Sequence, residues 1–442
     1  MSSFPATLFS GKRFAVVGLG KNGLPAAHAL RAMGADIVAW DDNAASRSAA
    51  AELDVRDPAD GPFDFDALVL SPGIPHRLPK PHPAAQRAIE AGVPILSDTE
   101  LLFQAVRAAG SRARFAGITG TNGKSTTTAL LAHILESAGL TVAAGANLGP
   151  AALSLPLLPH DGVYVLEMSS YMLERLATLR FNTAAMLNLS ADHIDRHGDM
   201  AGYALAKRAI FDRQQAEDLA VLGVDDAGSR AMANWLEARP ACVVRVSGST
   251  LPLADGPALP GAHNRQNANA ATALARFFGV TDDLIAAALL SYPGLPHRQQ
   301  RIVSIDGVSF VNDSKATNAD ATERALVCYD RLVWIAGGMA KEGGIEPLVP
   351  LFPRIARALL IGRDAEQFAA TLSRHNVPLD MVGTLEAAVP AAFAAAKATD
   401  SPVVLLSPAC ASWDQFTGYD QRGDRFGELA RGLADAGGGD AV

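Results

Sequence analysis

Short apolar runs recur along the chain, most of them followed by a glycine-rich or polar loop and then a stretch with helical spacing. This alternation predicts parallel sheets joined by crossover helices, an α/β chain. In a first region, Arg13 to Gly18, Asp36 to Trp40 and Ala67 to Leu70 read as strands, with a helix over Leu24 to Met33. A second region offers strands over Phe115 to Ile118, Gly162 to Glu167 and Thr183 to Leu189. Its helices are expected over Thr126 to Ser137, Tyr203 to Phe211 and Asn269 to Phe278. A third region reads as strands over Gly307 to Asp313, Leu332 to Gly337, Ala358 to Gly362, Leu379 to Val382 and Val403 to Ser407. The Pro/Gly-rich segment Tyr292 to Arg298 marks a domain boundary. Three domains follow, 1–98, 99–293 and 294–442, the outer two Rossmann-like and the central one a mostly parallel sheet. The tail Gly437 to Val442 reads as disordered.

In open parallel sheets, ligands sit outside the carboxyl ends of the strands, so the loops there carry the chemistry. Gly120-Thr-Asn-Gly-Lys-Ser-Thr126 lies between a strand and a helix. Its glycines free backbone N–H groups for phosphate, Lys124 adds charge, and Ser125 can reach Mg²⁺. The strict phosphate-loop pattern wants glycine at position 118, where this chain has Ile, so the loop is a variant. Glu167 and His193 lie at or just past neighbouring strand ends and should meet Lys124 in one crevice, where a carboxylate suits Mg²⁺. Spacing alone reads Lys207 as a solvated helix lysine and reads Asn264 and Asn267 as helix caps. Asn147 sits in what reads as a Gly-rich turn, Ala144 to Gly149. Gly18-Leu-Gly-Lys-Asn-Gly23, with Asp41-Asp42 beyond it, is a dinucleotide-type turn that does not say which nucleotide it serves. Ser71-Pro-Gly-Ile-Pro75 is a rigid loop at the same sheet edge. In the third region, Lys315, Lys341 and Ser412 follow strand ends and suit an acidic substrate.

Composition narrows the picture. Apolar residues make up 49% and charged residues 19%, values of a globular protein with full cores. A net charge of −8 gives no electrostatic footprint for nucleic acid. Three scattered cysteines point to a reducing compartment and no disulfide framework. Neither a leader pattern nor an apolar run of ~18 residues is evident, so no membrane association is expected. A cytoplasmic monomer is the expectation.

Gly120 to Thr126, Glu167 with Ser169-Ser170, Asp192-His193, His263-Asn-x-x-Asn267 and His297-Arg298 together resemble the Mur ligase family, ATP-dependent amide ligases of peptidoglycan precursor synthesis. Asn312 to Asn318, Leu406 to Phe416 and Gln421-Arg-Gly-Asp424 resemble its D-glutamate-adding branch. The resemblance implies the substrates UDP-N-acetylmuramoyl-L-alanine and D-glutamate, with ATP and Mg²⁺ at two sites. It implies that Gly18, Gly20, Asp42, Asn43, Ser71, Pro72, Gly73, Asn147 and Ser169 bind the UDP precursor. ATP falls to Gly120, Thr121, Asn122, Gly123, Lys124, Ser125, Thr126, Thr127, Asn267, Arg298 and Asp313. The metal falls to Ser125, Glu167, His193 and Lys207, the last as an N-carbamate. Glutamate falls to Lys315, Thr317, Lys341, Ser412 and Tyr419. The catalytic residues are then Lys124, His193, Lys207 and Arg298. Sister amide ligases, folylpolyglutamate synthetase and a nicotinamide-dependent dehydrogenase are the alternatives.

Overall fold

A computed structural model describes residues 3–341 and 343–437. The rest of the tail expected to be disordered, 438–442, lies outside the described residues. The chain forms two compact units, Met1–Asp255 with Ala262–Ser291, and Gly256–Gly261 with Tyr292–Val442.

The first unit holds two parallel sheets. One comprises β1 (Arg13–Val17), β2 (Asp36–Trp40), β3 (Asp54–Val55), β4 (Ala67–Leu70) and β5 (Ile95–Leu96), in the order β3-β2-β1-β4-β5. The chain leaves β1 in one direction and returns to β4 on the other side, which opens a crevice between the carboxyl ends of β1 and β4. The other comprises β6 (Arg114–Thr119), β7 (Val142–Ala146), β8 (Val163–Glu167), β9 (Thr183–Met186), β10 (Leu219–Gly223) and β11 (Cys242–Val246), in the order β11-β10-β9-β6-β8-β7. Its reversal falls at β6, flanked by β8 and β9. β8, β9 and β10 are buried along their whole length, which is why β8 and β9 read as continuous apolar runs and not as alternating ones. One hydrophobic core runs from Phe14, Val16 and Leu30 through Leu101 and Leu102 of the helix Asp98–Ala108 to Phe115, Tyr164 and Phe181.

The second unit holds β12 (Gln300–Ile305), β13 (Val308–Asn312), β14 (Leu332–Gly337), β15 (Met339–Ala340), β16 (Ile355–Ile361), β17 (Leu379–Gly383), β18 (Val403–Leu406) and β19 (Cys410–Ala411). Six of them form a sheet in the order β12-β13-β18-β14-β16-β17, parallel except for the antiparallel pair β12 and β13. β18 returns to lie between β13 and β14, so the loops after these three strands meet at one edge.

Three local expectations are corrected. The helix expected from Asn269 begins at Ala262, so Asn264 and Asn267 lie inside it and are buried. Their side chains bond to each other, Asn267 Nδ2 donating to Asn264 Oδ1 at 3.0 Å, and are not caps. The helix expected over Tyr203 to Phe211 runs over Met200–Arg208, opened by the Asp199 side chain, which accepts from Gly202 N. Ala144 to Ala146, expected as a turn, closes the buried strand β7, and the turn follows it.

Candidate active site

The phosphate loop is built by backbone conformation. Gly120 and Gly123 have φ of 143° and 83°, a region that side chains disfavour. The loop is pinned to the segment after β9. Thr121 N donates to Asn188 O at 3.0 Å, and Asn122 N donates to Asn188 Oδ1 at 2.8 Å. Thr127 closes the first helical turn, its N donating to Gly123 O, and its buried hydroxyl has no hydrogen-bond partner. Ser125 is buried at the helix start, with Thr126 beside it. A Cβ on Gly123 would stand 2.4 Å from Asn267 Oδ1, so Asn267 packs directly against the loop.

Two lysines converge on one carbonyl. Lys124 Nζ donates to Gly120 O at 2.9 Å and to Thr121 O at 2.8 Å. Lys207 Nζ donates to the same Gly120 O at 2.8 Å. Lys207 is thus not the solvated residue that its spacing suggests. It is 1% exposed, because the helix Met200–Arg208 turns this face inward beneath the loop, with Tyr203 at 4.6 Å from its amine. Burial, and then the charge of Lys124, hold the Lys207 amine well below the usual lysine range.

Glu167 ends β8 opposite Ile118 of β6. Its Oε1 accepts from Asn147 Nδ2, while its buried Oε2 has no hydrogen-bond partner. A carboxylate oxygen left bare in this way suits a hard cation. Among the described residues, no three of His, Cys, Asp or Glu lie together as a metal set. A cation here would therefore take its other oxygens from phosphate, water, a hydroxyl such as that of Ser125, or a modified Lys207. His193 stands at a left-handed backbone position (φ 53°) at the start of the helix Ile194–His197. Its ring lies 4.9 Å from that of Tyr171, and Nε2 is 3.3 Å from Asp192 Oδ2. It borders the site through Tyr203, whose hydroxyl is 3.3 Å from Thr121 Oγ1.

At the first sheet, Gly18 (φ 89°) turns out of β1, and Ser71 Oγ donates to Gly18 O at 2.6 Å. Gly20, Pro72 and Gly73 lie in the two loops so joined. Of the acidic pair, half-buried Asp41 holds the loops, its carboxylate accepting from Leu19 N and Asn43 N. Asp42 accepts from Trp40 Nε1, and Asn43 caps the next short helix. Ser169 likewise caps the helix Ser170–Leu173, accepting from Met172 N. Arg47 was missed. It donates to the carbonyls of Asp41 and Asp42 and lies over the Trp40 ring.

In the second unit, Asp313 is buried. Its carboxylate accepts from Ser407 Oγ at 2.7 Å and Gln299 N at 3.2 Å, and burial raises its pKa to about 7. The Arg298 charge acts against that rise. Lys315 Nζ lies 3.7 Å from the centre of the Tyr419 ring. The β15–β19 ladder pairs Ala340 with Cys410, which brings the segments carrying Lys341 and Ser412 together. Ser412 is buried and Lys341 exposed, while Thr317 lies in the loop before the helix Ala319–Leu326.

These features define an α/β enzyme with a nucleoside-triphosphate-type phosphate loop and polar strand-end loops on two more sheets. Residues 118–255 match the Mur ligase middle domain, and residues 297–410 match the Mur ligase glutamate ligase domain. A UDP-N-acetylmuramoylalanine--D-glutamate ligase from Paramagnetospirillum magneticum is 50% identical over 97% of this chain and 98% of its own. One from Rhodospirillum rubrum is 47% identical over 97% and 96%. Among solved structures, the UDP-N-acetylmuramate-alanine ligase of Thermotoga maritima shares the fold at a TM-score of 0.57, with 16% identity over 96% of this chain and 99% of that one. The chain belongs to the Mur ligase family.

Proposed function

We propose that this protein is an ATP-dependent ligase that joins D-glutamate to UDP-N-acetylmuramoyl-L-alanine in peptidoglycan precursor synthesis. The near-full-length relatives support the reaction and its substrates. The single structural observation behind it is the convergence of Lys124 and Lys207 on Gly120 O, with the Glu167 carboxylate near enough to act on the Lys207 charge. A carboxylate and an amine do not condense in water unaided. The alanyl carboxylate attacks the γ-phosphate of ATP, giving an acyl phosphate and ADP. The glutamate amine then attacks the acyl carbon, and phosphate leaves.

In this reading residues 1–98 bind the UDP precursor, 99–293 bind ATP, and 294–442 bind glutamate. Gly18, Gly20, Ser71, Pro72 and Gly73 hold the uridine diphosphate end together with Asp42 and Asn43, while Asn147 and Ser169 meet the muramoyl part. The capping duties of Asn43 and Ser169 leave their backbone groups and remaining lone pairs for this. The loop from Gly120 to Thr127 holds the triphosphate with Asn267, Arg298 and Asp313. Lys124 and Arg298 spread the charge of the transferring phosphoryl group. Lys315, Thr317, Lys341, Ser412 and Tyr419 hold glutamate, the two lysines matching its two carboxylates.

Mg²⁺ fits Ser125, Glu167, His193 and a carbamylated Lys207, and when bound it supplies charge neutralisation at the phosphates. The neutral amine is the form that reacts with carbon dioxide, and burial shifts the Lys207 amine toward that form, which supports the carbamate. The protein acts in the cytoplasm as a monomer.

The test is phosphate release from ATP with D-glutamate, L-alanine, lysine and meso-diaminopimelate, each offered with its matching UDP precursor. Release with D-glutamate alone is expected. Preference for another amino acid would reassign the chain to a sister activity.

A further inference from the structure

The loop Ser71 to Pro75 is wrapped around a side chain that no motif marks. Arg175 follows the helix Ser170–Leu173 and is 2% exposed. Its Nη1 donates to Leu70 O at 2.6 Å and to Ser71 O at 3.0 Å. Nη2 donates to Ile74 O, and Nε donates to His76 Nδ1 at 3.4 Å. One guanidinium thus gathers three carbonyls and an imidazole from a single turn. Its own backbone is anchored too, Arg175 O accepting from Ser97 N at 3.2 Å.

The surroundings keep this arrangement in one protonation state. Burial, with Arg175, Arg196 and Arg77 nearby, pushes His76 down to about 3, so its ring is neutral and accepts. Burial also lowers Arg175, to about 9, which leaves it charged at neutral pH, with the Glu174 carboxylate adjacent. A second guanidinium, that of Arg196, donates to Ile74 O at 3.2 Å. The far side of the turn meets the Gly18 loop through Ser71 Oγ. Lysine cannot replace this geometry, because its three donors radiate from one atom while the guanidinium fork spreads over a plane.

We propose that Arg175 is a positioning residue for the UDP precursor: it touches no substrate and fixes the 71–76 turn in the shape that presents Ser71, Pro72 and Gly73. The proposal rests on the assignment of that turn to the precursor. Carbonyls aimed at Arg175 are carbonyls aimed away from the ligand, so the clamp also clears acceptors from an anion's path. Without it, Leu70 O loses its guanidinium donor, and Ser71 O and Ile74 O keep only Ile74 N and Arg196 Nη2, which loosens the turn.

The experiment combines steady-state kinetics and amide hydrogen exchange on Arg175→Lys. The KM for UDP-N-acetylmuramoyl-L-alanine should rise about tenfold, while kcat and the KM values for ATP and D-glutamate stay within about twofold. Exchange should quicken over residues 71–76 and not over β6 or β13. A fall in kcat with the precursor KM unchanged would overturn the role, and so would faster exchange at 71–76 without a change in that KM. If Arg175→Lys does not fold, His76→Leu removes one acceptor of the four. It should raise the same KM about threefold, and an unchanged KM overturns the role. Wild-type protein is assayed alongside. No ligation by wild type would refute the functional reading and the role together, whereas normal wild-type ligation with unaffected variants refutes the role alone.

Discussion

At the scale of single residues, the site is carried by side chains whose environments differ more than their chemistry. Lys124 and Lys207 share an acceptor, yet one sits on the loop's own helix and the other is buried under it. Lys124→Ala should lower kcat by about 10³-fold or more, since it removes a charge at the transferring phosphoryl group. ADP release measures this, and near-normal turnover would remove the role. Lys207→Arg keeps a cation but offers no amine that can be carbamylated. Turnover in that variant should fall by at least about 10²-fold at saturating ATP. Glycine, lysine and strand-end acids were legible in the sequence because their spacing is local. The burial of Lys207 was not, because it depends on which face of the helix Met200–Arg208 turns beneath the loop. Nor was Arg175, whose partners lie about a hundred residues away.

At the scale of elements, three strands were read to the residue. Asp36–Trp40, Ala67–Leu70 and Leu332–Gly337 match their expected bounds, since continuous apolar runs end where burial ends. β10 and β11 went unread in a stretch without motifs, and β12 because its exposed positions break the run. One helix start shifted because Asn264 and Asn267 satisfy each other inside the helix, with Asn267 packed against Gly123. Glu100 shows how one acid fixes an element boundary. Its buried carboxylate accepts from Ala177 N at 3.0 Å, Thr178 N at 2.9 Å and Leu179 N at 2.9 Å, tying the run into β9 to the helix Asp98–Ala108. Glu100→Ala leaves these donors buried and should cost about 3 kcal/mol. Urea unfolding checks this, and an unchanged midpoint would show that the donors find other partners.

At the scale of the whole molecule, three sheets repeat one rule, with reversal of strand order and polar loops at the same place. The parallel build and its strand-end loops followed from alternation in the sequence, while the strand order did not. The division into two compact units did not, because the helix Asp98–Ala108 packs into a core shared by the first two sheets. The same shared region sets an acid limit. His76 has a folded pKa of about 3 against an ordinary 6.5, so the unfolded chain takes up its proton first as pH falls. Stability from this group is complete above pH 6.5 and is lost as pH falls toward 3. For a partly solvated ring the loss is about 1 kcal/mol by pH 5. Thermal melts between pH 5 and 7 should show this slope, and His76→Leu should flatten it.

The oxygen that Lys124 and Lys207 divide has a thermodynamic corollary. While Lys124 carries its proton there, the neighbouring amine is discouraged from carrying one. Triphosphate arriving on Lys124 offsets that influence while burial persists, so an unmodified Lys207 should shift toward its protonated form, with fractional proton uptake, as nucleotide binds. Titration calorimetry of ATP binding in buffers of different ionisation enthalpy would register the uptake. A carbamate on Lys207 would abolish it, so the heats also report which form of the side chain the protein holds.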